Sequence, residues 1–260
     1  MINKFKLIGK VKYIYNLILN YKDWYNIVIN RLFGIRTRTL HLRNGLILIG
    51  GPNSLILDLV DEIFLKKVYN PTNMKIIPGS VVVDIGANIG VFSLYAAING
   101  AKKIYSIEPL ATNINLIKKN FDLNKFNKPT VINCAVSNKN KLGKLYIGDL
   151  DSHGLLFKSV NSIKYNKFQY IPLMTLDKII KIYNIKHIGF LKIDCEGSEG
   201  DIIKSMNKET FNIVDKISIE YHDNVSTLKH DAIENELKKF GYVVTTVSLD
   251  KLYGYIYARK

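Results

Sequence analysis

The chain has 260 residues, a formal net charge of +15 and two cysteines. This length can bury a substantial core in one α/β domain without crosslinks. Cys134 and Cys195 offer no disulfide framework, which fits a reducing cytoplasm. No signal peptide opens the chain and no run of about 18 apolar residues occurs, so we expect a protein that is neither secreted nor membrane-spanning.

The positive charge is concentrated near the amino terminus. Residues 1–45 contain nine Lys or Arg and one acid, Asp23, which gives +8 of the +15. The whole chain is also rich in Lys, Asn and Ile together, a mixture that AT-rich coding produces. The net charge therefore does not by itself establish nucleic acid as a partner.

Residues 1–33 predict a basic amphipathic helix, because apolar residues at 7, 11, 14 and 18 recur at helical spacing among lysines. Such a helix could lie on an anionic membrane surface, or it could pack on the following domain or on a second subunit, and packing is the favoured interpretation. Residues 38–49 then predict a hairpin around Asn44-Gly45, and residues 58–69 predict a helix.

From residue 71 onward, segments typical of strands and helices alternate, which predicts a doubly wound, mostly parallel sheet of seven strands. Strands are expected at 81–85, 103–108, 130–135, 188–194, 215–221, 242–248 and 253–259, and helices at 90–98, 110–121, 176–183, 198–206 and 227–240. We therefore predict a Rossmann-like α/β domain at 71–260, preceded by a helix-and-hairpin extension at 1–70.

An insertion between the third and fourth strands, residues 137–175, predicts an additional hairpin formed by 144–148 and 170–174. The polar loop between them, 149–167, is long enough to act as a lid over a site. His153 in this loop could contact a substrate, although a histidine in a loop is more often simply solvated.

The turn after the first strand of the domain predicts a nucleotide-like ligand. Gly86 and Gly90 allow the backbone to approach a ligand at the carboxyl end of a strand. A dinucleotide fingerprint would need glycine where Asn88 and Val91 stand, so the pattern disfavours NAD. Glu108 ends the next strand, where a carboxylate can accept hydrogen bonds from both hydroxyls of a ribose.

Together these motifs resemble the FkbM family of class I methyltransferases over about residues 40–258. The resemblance is carried by Asp-Ile-Gly-Ala-Asn-Ile-Gly at 84–90, Glu108-Pro109, Asn133-Cys-Ala-Val-Ser-Asn, Leu176-Asp177, Phe190-Leu-Lys-Ile-Asp-Cys-Glu-Gly-Ser-Glu and Ile219-Glu-Tyr-His. It implies S-adenosylmethionine as cofactor and methylation of hydroxyls on polyketides, sugars or glycolipids. The cofactor would then be bound by Asp84, Gly86, Ala87, Asn88, Gly90, Glu108, Pro109 and Ser137, with Ser137 placed by topology alone.

Methylation of an alcohol usually needs a base or a metal, because the pKa of an alcohol is close to that of water. Asp194 and Glu196 lie two residues apart at the end of the fourth strand and so point to one face if the strand continues that far, and Glu220 and His222 repeat this pattern at the end of the fifth. Adjacent parallel strands would bring all four beside the cofactor. The group could supply general bases, or an oxygen-rich site for Mg²⁺ or another divalent ion with His222 as an extra ligand, and the sequence assigns no metal.

Other roles remain open for the same residues: Glu196 could cap the helix that starts near Ser198, and Glu220 could pair with Lys192. Competing functions are a nucleic-acid methyltransferase, suggested by the charge, and a cofactor-binding protein without catalysis. Against the first, the chain has no Asn/Asp-Pro-Pro-Tyr/Phe motif and no recognisable RNA-binding module. We expect a cytoplasmic enzyme acting on a hydroxyl of a sugar, glycolipid or related small molecule, with membrane contact through residues 1–33 as an alternative to packing.

Overall fold

The computed structural model describes residues 2–52, 55–147, 154–155 and 167–260. The strands are β1 (Thr39–His41), β2 (Ile47–Ile49), β3 (Val81–Ile85), β4 (Lys103–Ile107), β5 (Thr130–Ile132), β6 (Ala135–Val136), β7 (Lys141–Ile147), β8 (Gly154–Leu155), β9 (Lys167–Met174), β10 (Phe190–Ile193), β11 (Lys216–His222), β12 (Val243–Ser248) and β13 (Tyr253–Arg259). The α-helices are α1 (Ile2–Asn20), α2 (Trp24–Leu32), α3 (Ile56–Val60), α4 (Val91–Ile98), α5 (Ala111–Leu123), α6 (Leu176–Tyr183), α7 (Glu199–Ser205), α8 (Lys208–Ile213) and α9 (His230–Lys239).

The central sheet confirms the predicted architecture. Within the described residues it has seven strands in the order β12-β13-β11-β10-β3-β4-β5, and β13 runs antiparallel to both of its neighbours. Successive residues of β3 point to opposite faces, so Val82 joins one hydrophobic core and Val83 the other. Because both faces are covered by other elements, the central strands are continuous apolar runs.

The predicted third strand, 130–135, is interrupted. β5 ends at Ile132, and the chain resumes at Ala135 in a separate sheet with the order β6-β9-β7-β8. Asn133 lies at the break, and its side-chain amide donates to the carbonyl oxygens of Glu108 (3.2 Å) and Pro109 (2.8 Å). A polar bridge to the end of β4 therefore replaces sheet pairing at this point.

The insertion contains the predicted hairpin, in which β7 pairs with β9 in antiparallel register from Lys141↔Leu173 to Ile147↔Lys167. Of the predicted lid, Gly154–Leu155 form β8 and Lys167 begins β9. The remaining lid residues, His153 among them, lie outside the described residues.

The amino-terminal extension forms two helices, α1 and α2, instead of the single predicted helix. Leu17, Tyr21 and Ile27 are buried in the core that lies on one face of the central sheet. The β1–β2 hairpin is held on α5 by Asn120 and Asn124, whose side chains bond the backbones of residues 47 and 49. The extension thus packs on the α/β domain. Across the described residues, every helix is too short or too polar to cross a membrane.

The predicted helix at 58–69 is shorter and less regular. It begins as α3 and continues as a wide π-helical turn over Asp61–Lys66, which ends at Lys67 with a left-handed φ of 55°. The change of chain direction leaves Tyr69 buried against the central sheet, 5 % exposed. Tyr69 thereby reaches the carboxyl edge of the sheet.

Candidate active site

A cleft opens at the carboxyl ends of β3, β4 and β10, the edge at which open α/β sheets bind ligands. The turn after β3 and the end of β4 form one wall, and the segment that follows β10 forms another. The lining residues are Ile85, Gly86, Asn88, Ile107, Glu108, Pro109, Cys134, Ala135, Val136, Leu145, Asp194, Cys195, Glu196 and Ser198.

The glycines of the turn are required by neighbouring protein atoms. A Cβ on Gly86, whose φ is 74°, would lie 1.8 Å from the carbonyl oxygen of Asp194. A Cβ on Gly90, whose φ is 84°, would lie 3.1 Å from Ile117. From the sequence, Gly86 and Gly90 are expected to let a ligand approach the backbone closely. In the structure they also let the end of β10 and α5 pack against the turn.

Asp84 lies at the end of β3 and is fully buried. Its Oδ2 accepts a hydrogen bond from Ser93 Oγ (2.6 Å), and its Oδ1 lies 3.3 Å from Lys192 Nζ, on the directly paired residue of β10. Lys192 also donates to the Gly86 carbonyl oxygen (2.8 Å). Asp84 therefore acts on the turn through Lys192, and the residues of the lining do not include it.

Glu108 is buried and lines the cleft. Its Oε2 accepts the N–H of Asn88 (2.9 Å), and its Oε1 accepts the N–H of Leu110 (3.0 Å) and the side-chain amide of Asn113 (3.2 Å). A carboxylate has about four lone-pair sites, so room remains for one further donor, at Oε2. Burial raises the pKa of Glu108 to about 7 against the lowering effect of these donors.

The other residues predicted to bind cofactor are distributed around this wall. Pro109 lines the cleft beside Glu108. Ala87 is 4 % exposed, and its N–H donates to the carbonyl oxygen of Ile107 (3.0 Å). Ser137 is 7 % exposed, and its N–H donates to the carbonyl oxygen of Met174 (2.9 Å), while residues 134–136 supply the lining there.

Asn88 has two unusual features. It adopts a left-handed φ of 50°, a conformation that asparagine tolerates better than most residues. Its Oδ1 is buried without a hydrogen-bond partner in the described part of the chain, although the residue lines the cleft. A buried acceptor of this kind is costly unless a donor reaches it.

The structure brings Asp194, Glu196, Glu220 and His222 together beside the cleft, where Asp194 and Glu196 belong to the lining and Glu220 and His222 lie next to them. Their side chains keep 24 %, 35 %, 16 % and 14 % of their surface exposed, so all four border accessible space. Tyr69 Oη donates toward Asp194 Oδ2 (3.0 Å) and also contacts Glu220 Oε2 very closely. The sequence analysis did not identify Tyr69.

One hydroxyl carries one proton, so Tyr69 can bridge two carboxyl groups only if one of them donates to it. Burial, with the charge of Asp194, raises the pKa of Glu220 to about 8. Burial opposes ionisation of Asp194 as well, but the positive charges of Lys192 and His222 outweigh it and lower the pKa of Asp194. The raised pKa of Glu220 and the lowered pKa of Asp194 make Glu220 the member of the pair that holds a proton more readily, and Asp194 the one that stays ionised.

His222 is surrounded by carboxylates. Its Nδ1 lies 3.2 Å from Oε1 of fully buried Glu199, and its Nε2 lies 3.7 Å from Glu196 Oε2 and 3.9 Å from Glu220 Oε1. Burial disfavours the imidazolium, yet the contact with Glu199 and the charges of the other carboxylates raise the pKa of His222 to about 10.

Glu199, the first residue of α7, holds the turn that precedes the helix. Its carboxylate accepts the N–H groups of Cys195 (3.0 Å) and Gly197 (2.9 Å), while Ser198 at the N-cap makes no side-chain capping bond. Lys192, the alternative partner considered for Glu220, instead lies 3.3 Å from both Asp84 and Asp194. Glu199 stands within the quoted motif, but nothing in its spacing distinguished it from a surface acid.

Two solved structures share the fold and define the class of protein. A methyltransferase FkbM from Methylobacillus flagellatus superposes with a TM-score of 0.51 at 18 % identity, covering 74 % of this chain and 47 % of that one. A methyltransferase complexed with S-adenosylhomocysteine superposes with a TM-score of 0.50 at 10 % identity, covering 85 % of this chain and 55 % of that one. The chain has the class I methyltransferase fold.

The family follows from sequence. The model of the methyltransferase FkbM domain matches residues 84–244, and the chain belongs to that family. It is a methyltransferase, and its cofactor is S-adenosylmethionine.

Three curated proteins are similar to this chain in sequence. Methyltransferase 1 of Beauveria bassiana is 23 % identical over 63 % of this chain and 72 % of its own length. The AMB antimetabolite synthetase AmbE of Pseudomonas aeruginosa is 24 % identical over 71 % of this chain, which spans 10 % of that protein. A tRNA (guanine(37)-N(1))-methyltransferase Trm5b of Methanocaldococcus jannaschii is 30 % identical over 65 % of this chain, which spans 48 % of that protein.

The residues of the cleft fit S-adenosylmethionine. Asn88 Oδ1 is a buried acceptor with no donor in the described residues, and Glu108 Oε2 can accept one further hydrogen bond. The cofactor offers an ammonium group and ribose hydroxyls as donors. When bound, it supplies an electrophilic methyl group on a sulfonium, and the chain must position the acceptor and remove its proton.

Proposed function

We propose that this enzyme transfers a methyl group from S-adenosylmethionine to a hydroxyl of a sugar, a glycolipid or a related small molecule. The observation that carries the proposal is the group formed by Asp194, Glu196, Glu220 and His222. It adjoins the wall of the cleft that we assign to the cofactor, and each of its side chains remains partly exposed. A crowded carboxylate site suits an acceptor that must lose a proton.

The step is a single displacement. A carboxylate of the group takes the proton of the acceptor hydroxyl, and the oxygen forms a bond to the methyl carbon. The carbon–sulfur bond breaks, and its electron pair stays on sulfur, which becomes a neutral thioether. In-line positioning of oxygen and methyl supplies much of the rate in such reactions, and the turn at 86–90 and the end of β10 would provide it.

The test is transfer of isotope-labelled methyl from S-adenosylmethionine to a panel of sugars, lipid-linked sugars and polyketide alcohols. We expect label in an ether on at least one acceptor, and we expect no transfer to the matching deoxy compound. Transfer only to a nitrogen or carbon atom would contradict the proposal.

We infer an anionic membrane surface as a second partner. Besides the face that packs on the domain, α1 and α2 present an outer apolar surface. Val11, Tyr15 and Leu19 recur every four residues on α1 and are 61 %, 59 % and 52 % exposed, and Leu32 and Phe33 at the end of α2 are 77 % and 74 % exposed. Exposed Lys and Arg residues flank them, at 12, 22, 31, 36 and 43. Apolar side chains among basic ones favour anionic lipid over water.

Cosedimentation with vesicles tests this partner. The chain should bind vesicles of phosphatidylglycerol more tightly than phosphatidylcholine, with binding that weakens as salt shortens the Debye length to about 8 Å and below. Leu32→Glu with Phe33→Glu should abolish binding, whereas Leu142→Glu, at a residue that is 69 % exposed elsewhere, should not. Equal effects of the two changes would contradict the inference.

RNA is the second candidate acceptor, favoured by the Trm5b relative and by the charge of +15. Against it, the positive charge is concentrated on α1, α2 and the hairpin, among exposed aliphatic and aromatic residues. Methylation of transfer RNA in the panel, with retention on RNA that weakens steeply with salt, would favour this candidate over a small hydroxyl acceptor.

A further inference from the structure

We propose that Asp194, Glu196 and His222 bind a divalent cation on the acceptor side of the cleft. The binding itself follows from the geometry below. Its purpose, to activate the acceptor hydroxyl, rests on the proposed function.

The three side chains are close enough to share one ion. Each offers one ligand atom, and these atoms all lie within 4.8 Å of one another. Oxygen ligands lie about 2.0–2.6 Å from Mg²⁺ or Ca²⁺, so two ligands of one ion can be separated by roughly 4–5 Å. Two carboxylates with one imidazole suit ions such as Mn²⁺, and leave further coordination positions for an acceptor oxygen.

The backbone holds Glu196 in this position by an unusual conformation. Glu196 has a φ of 51° and Gly197 a φ of 107°. The buried carboxylate of Glu199 accepts the N–H groups of Cys195 and Gly197, on either side of Glu196. These hydrogen bonds to Glu199 therefore hold the strained turn, which places the Glu196 side chain beside Asp194 and His222.

The same Glu199 orients His222. A cation would have to displace the proton of Nε2, and with the N–H at Nδ1 donating to Glu199 Oε1 across 3.2 Å, the freed lone pair of Nε2 would be directed to the side where Glu196 lies. Metal-ligating histidines commonly donate their second ring N–H to a carboxylate in this way, which fixes both the tautomer and the ring. Glu199 is thus a positioning residue.

Two features point to a ligand that the chain itself does not supply. Ser198, which lies beside Glu196 in the lining of the cleft, is 1 % exposed, yet its Oγ has no hydrogen-bond partner in the described ranges. In addition, carboxyl groups outnumber cations around this point even when Glu220, whose raised pKa favours the neutral form, is left out: the acids are Asp84, Asp194, Glu196 and Glu199, and the cations are Lys192 and His222. Buried charge of one sign is stable only when compensated.

Bound there, a divalent cation would act as a Lewis acid that lowers the pKa of an acceptor hydroxyl. The oxygen of Asp194 or Glu196 that does not bind the cation would receive the proton.

Binding of Mn²⁺ to the full chain, followed by electron paramagnetic resonance and calorimetry without acceptor, tests the site. We expect one Mn²⁺ per chain. Asp194→Asn and His222→Ala should weaken its affinity at least tenfold, and Glu199→Gln should weaken it by about 10–100-fold. His187→Ala is the matched control. Like His222, His187 has a carboxylate neighbour, Asp215 at 2.9 Å, but it lies at the opposite end of β10 from the proposed site.

Calorimetric binding of S-adenosylmethionine shows whether each variant is folded. A measurement on the unaltered chain does not depend on the variants: Mn²⁺ should broaden the ring resonances of His222 and spare those of His187. Absence of Mn²⁺ binding, or broadening of both rings alike, would overturn the site. Undiminished O-methylation in the presence of chelator would overturn the activating role of the cation and would leave the proposed function intact. Mn²⁺ binding at His222 without methylation of any hydroxyl would support the site and refute the function instead.

Discussion

The two sides of the cleft satisfy their buried acids in different ways. On the cofactor side, Glu108 accepts bonds from the backbone N–H groups of Asn88 and Leu110 and from the amide of Asn113. These donors are neutral and fixed. On the acceptor side, Asp194 and Glu220 share the hydroxyl of Tyr69, and the remaining compensation comes from other titratable groups.

This difference separates binding from chemistry. Neutral donors hold Glu108 in one geometry whatever happens nearby, which suits recognition of a cofactor. On the acceptor side the titratable groups interact, so the pKa values of two adjacent carboxyl groups differ. The pKa of Asp194 is lowered, and that of Glu220 is raised to about 8. Such splitting is typical of sites that transfer protons. A change on one side of the cleft should therefore leave the other side largely unaffected, unless it alters the turn that touches both.

The largest effect is expected for Asp194→Asn. The change removes the charge that faces Lys192 and His222 but keeps the shape of the side chain. Turnover should fall by about 10²–10⁴, while calorimetric affinity for S-adenosylmethionine should change little. Asp215→Asn, which alters an exposed carboxylate beside His187, serves as the control. Full activity of Asp194→Asn would show that the acceptor side is structural.

Gly86→Ala should disturb both sides together, because the turn touches both. Alanine at a φ of 74° costs about 1–2 kcal/mol. The new Cβ would also lie 1.8 Å from the Asp194 carbonyl oxygen, a clash of about 1–3 kcal/mol. Urea unfolding should therefore show a loss of roughly 3 kcal/mol.

Gly79→Ala is the matched control for this change. Its φ of 84° is similar, but nothing lies within 4 Å of the added Cβ. Gly79→Ala should show only the cost of placing alanine at a positive φ. The difference between the two losses of unfolding free energy therefore measures the cost of the contact between the added Cβ and the Asp194 carbonyl oxygen. Equal losses would mean that the turn moves away freely.

The predicted strands at 81–85 and 253–259 coincide with β3 and β13 because both are apolar runs bounded by turn residues. β5 ended early because Asn133 bonds carbonyl oxygens at the end of β4, a tertiary contact that hydrophobic periodicity does not register. Glu220 and His222 lie two residues apart within β11, but β10 ends at Ile193, and a turn with a left-handed Glu196 brings Asp194 and Glu196 to the same edge of the sheet.

The residues that hold those acids could not be predicted. Tyr69 is 125 positions from Asp194 and follows an irregular π-helical turn, so no local pattern connects them. The bonds of Glu199 depend on the left-handed conformation of Glu196, which sequence rules do not expect for glutamate. Local spacing therefore identified which groups meet, whereas the contacts that support them arise from the assembled fold.

A smaller effect is expected on the cofactor side. Glu108→Ala removes an acceptor for the cofactor and leaves the N–H of Asn88 without its partner. At about 1.5–3 kcal/mol for a lost charge-assisted bond, affinity for S-adenosylmethionine should fall about tenfold or more. Calorimetry measures it, with Asp122→Ala on the exposed face of α5 as control. Unchanged affinity would show that Glu108 does not contact the cofactor. The proposed division into a cofactor side and an acceptor side would then lose its support.

The smallest effect is a pH dependence of cofactor affinity. Burial raises the pKa of Glu108 to about 7, although the donors Leu110, Asn88 and Asn113 and the charge of Lys192 act in the opposite direction. A hydroxyl of the cofactor donates best to the ionised carboxylate, so affinity should be highest above this pKa and should weaken as the pH falls through it. With a pKa near 7, the ionised fraction falls about threefold between pH 7.5 and 6.5. Calorimetric affinities should follow that curve, and Glu108→Gln should flatten it while leaving any titration of the cofactor itself. If the affinity of Glu108→Gln depends on pH as that of the unaltered chain does, the titrating group belongs to the cofactor or to the acceptor side. The neutral donors around Glu108 would then not keep cofactor binding independent of the acceptor side.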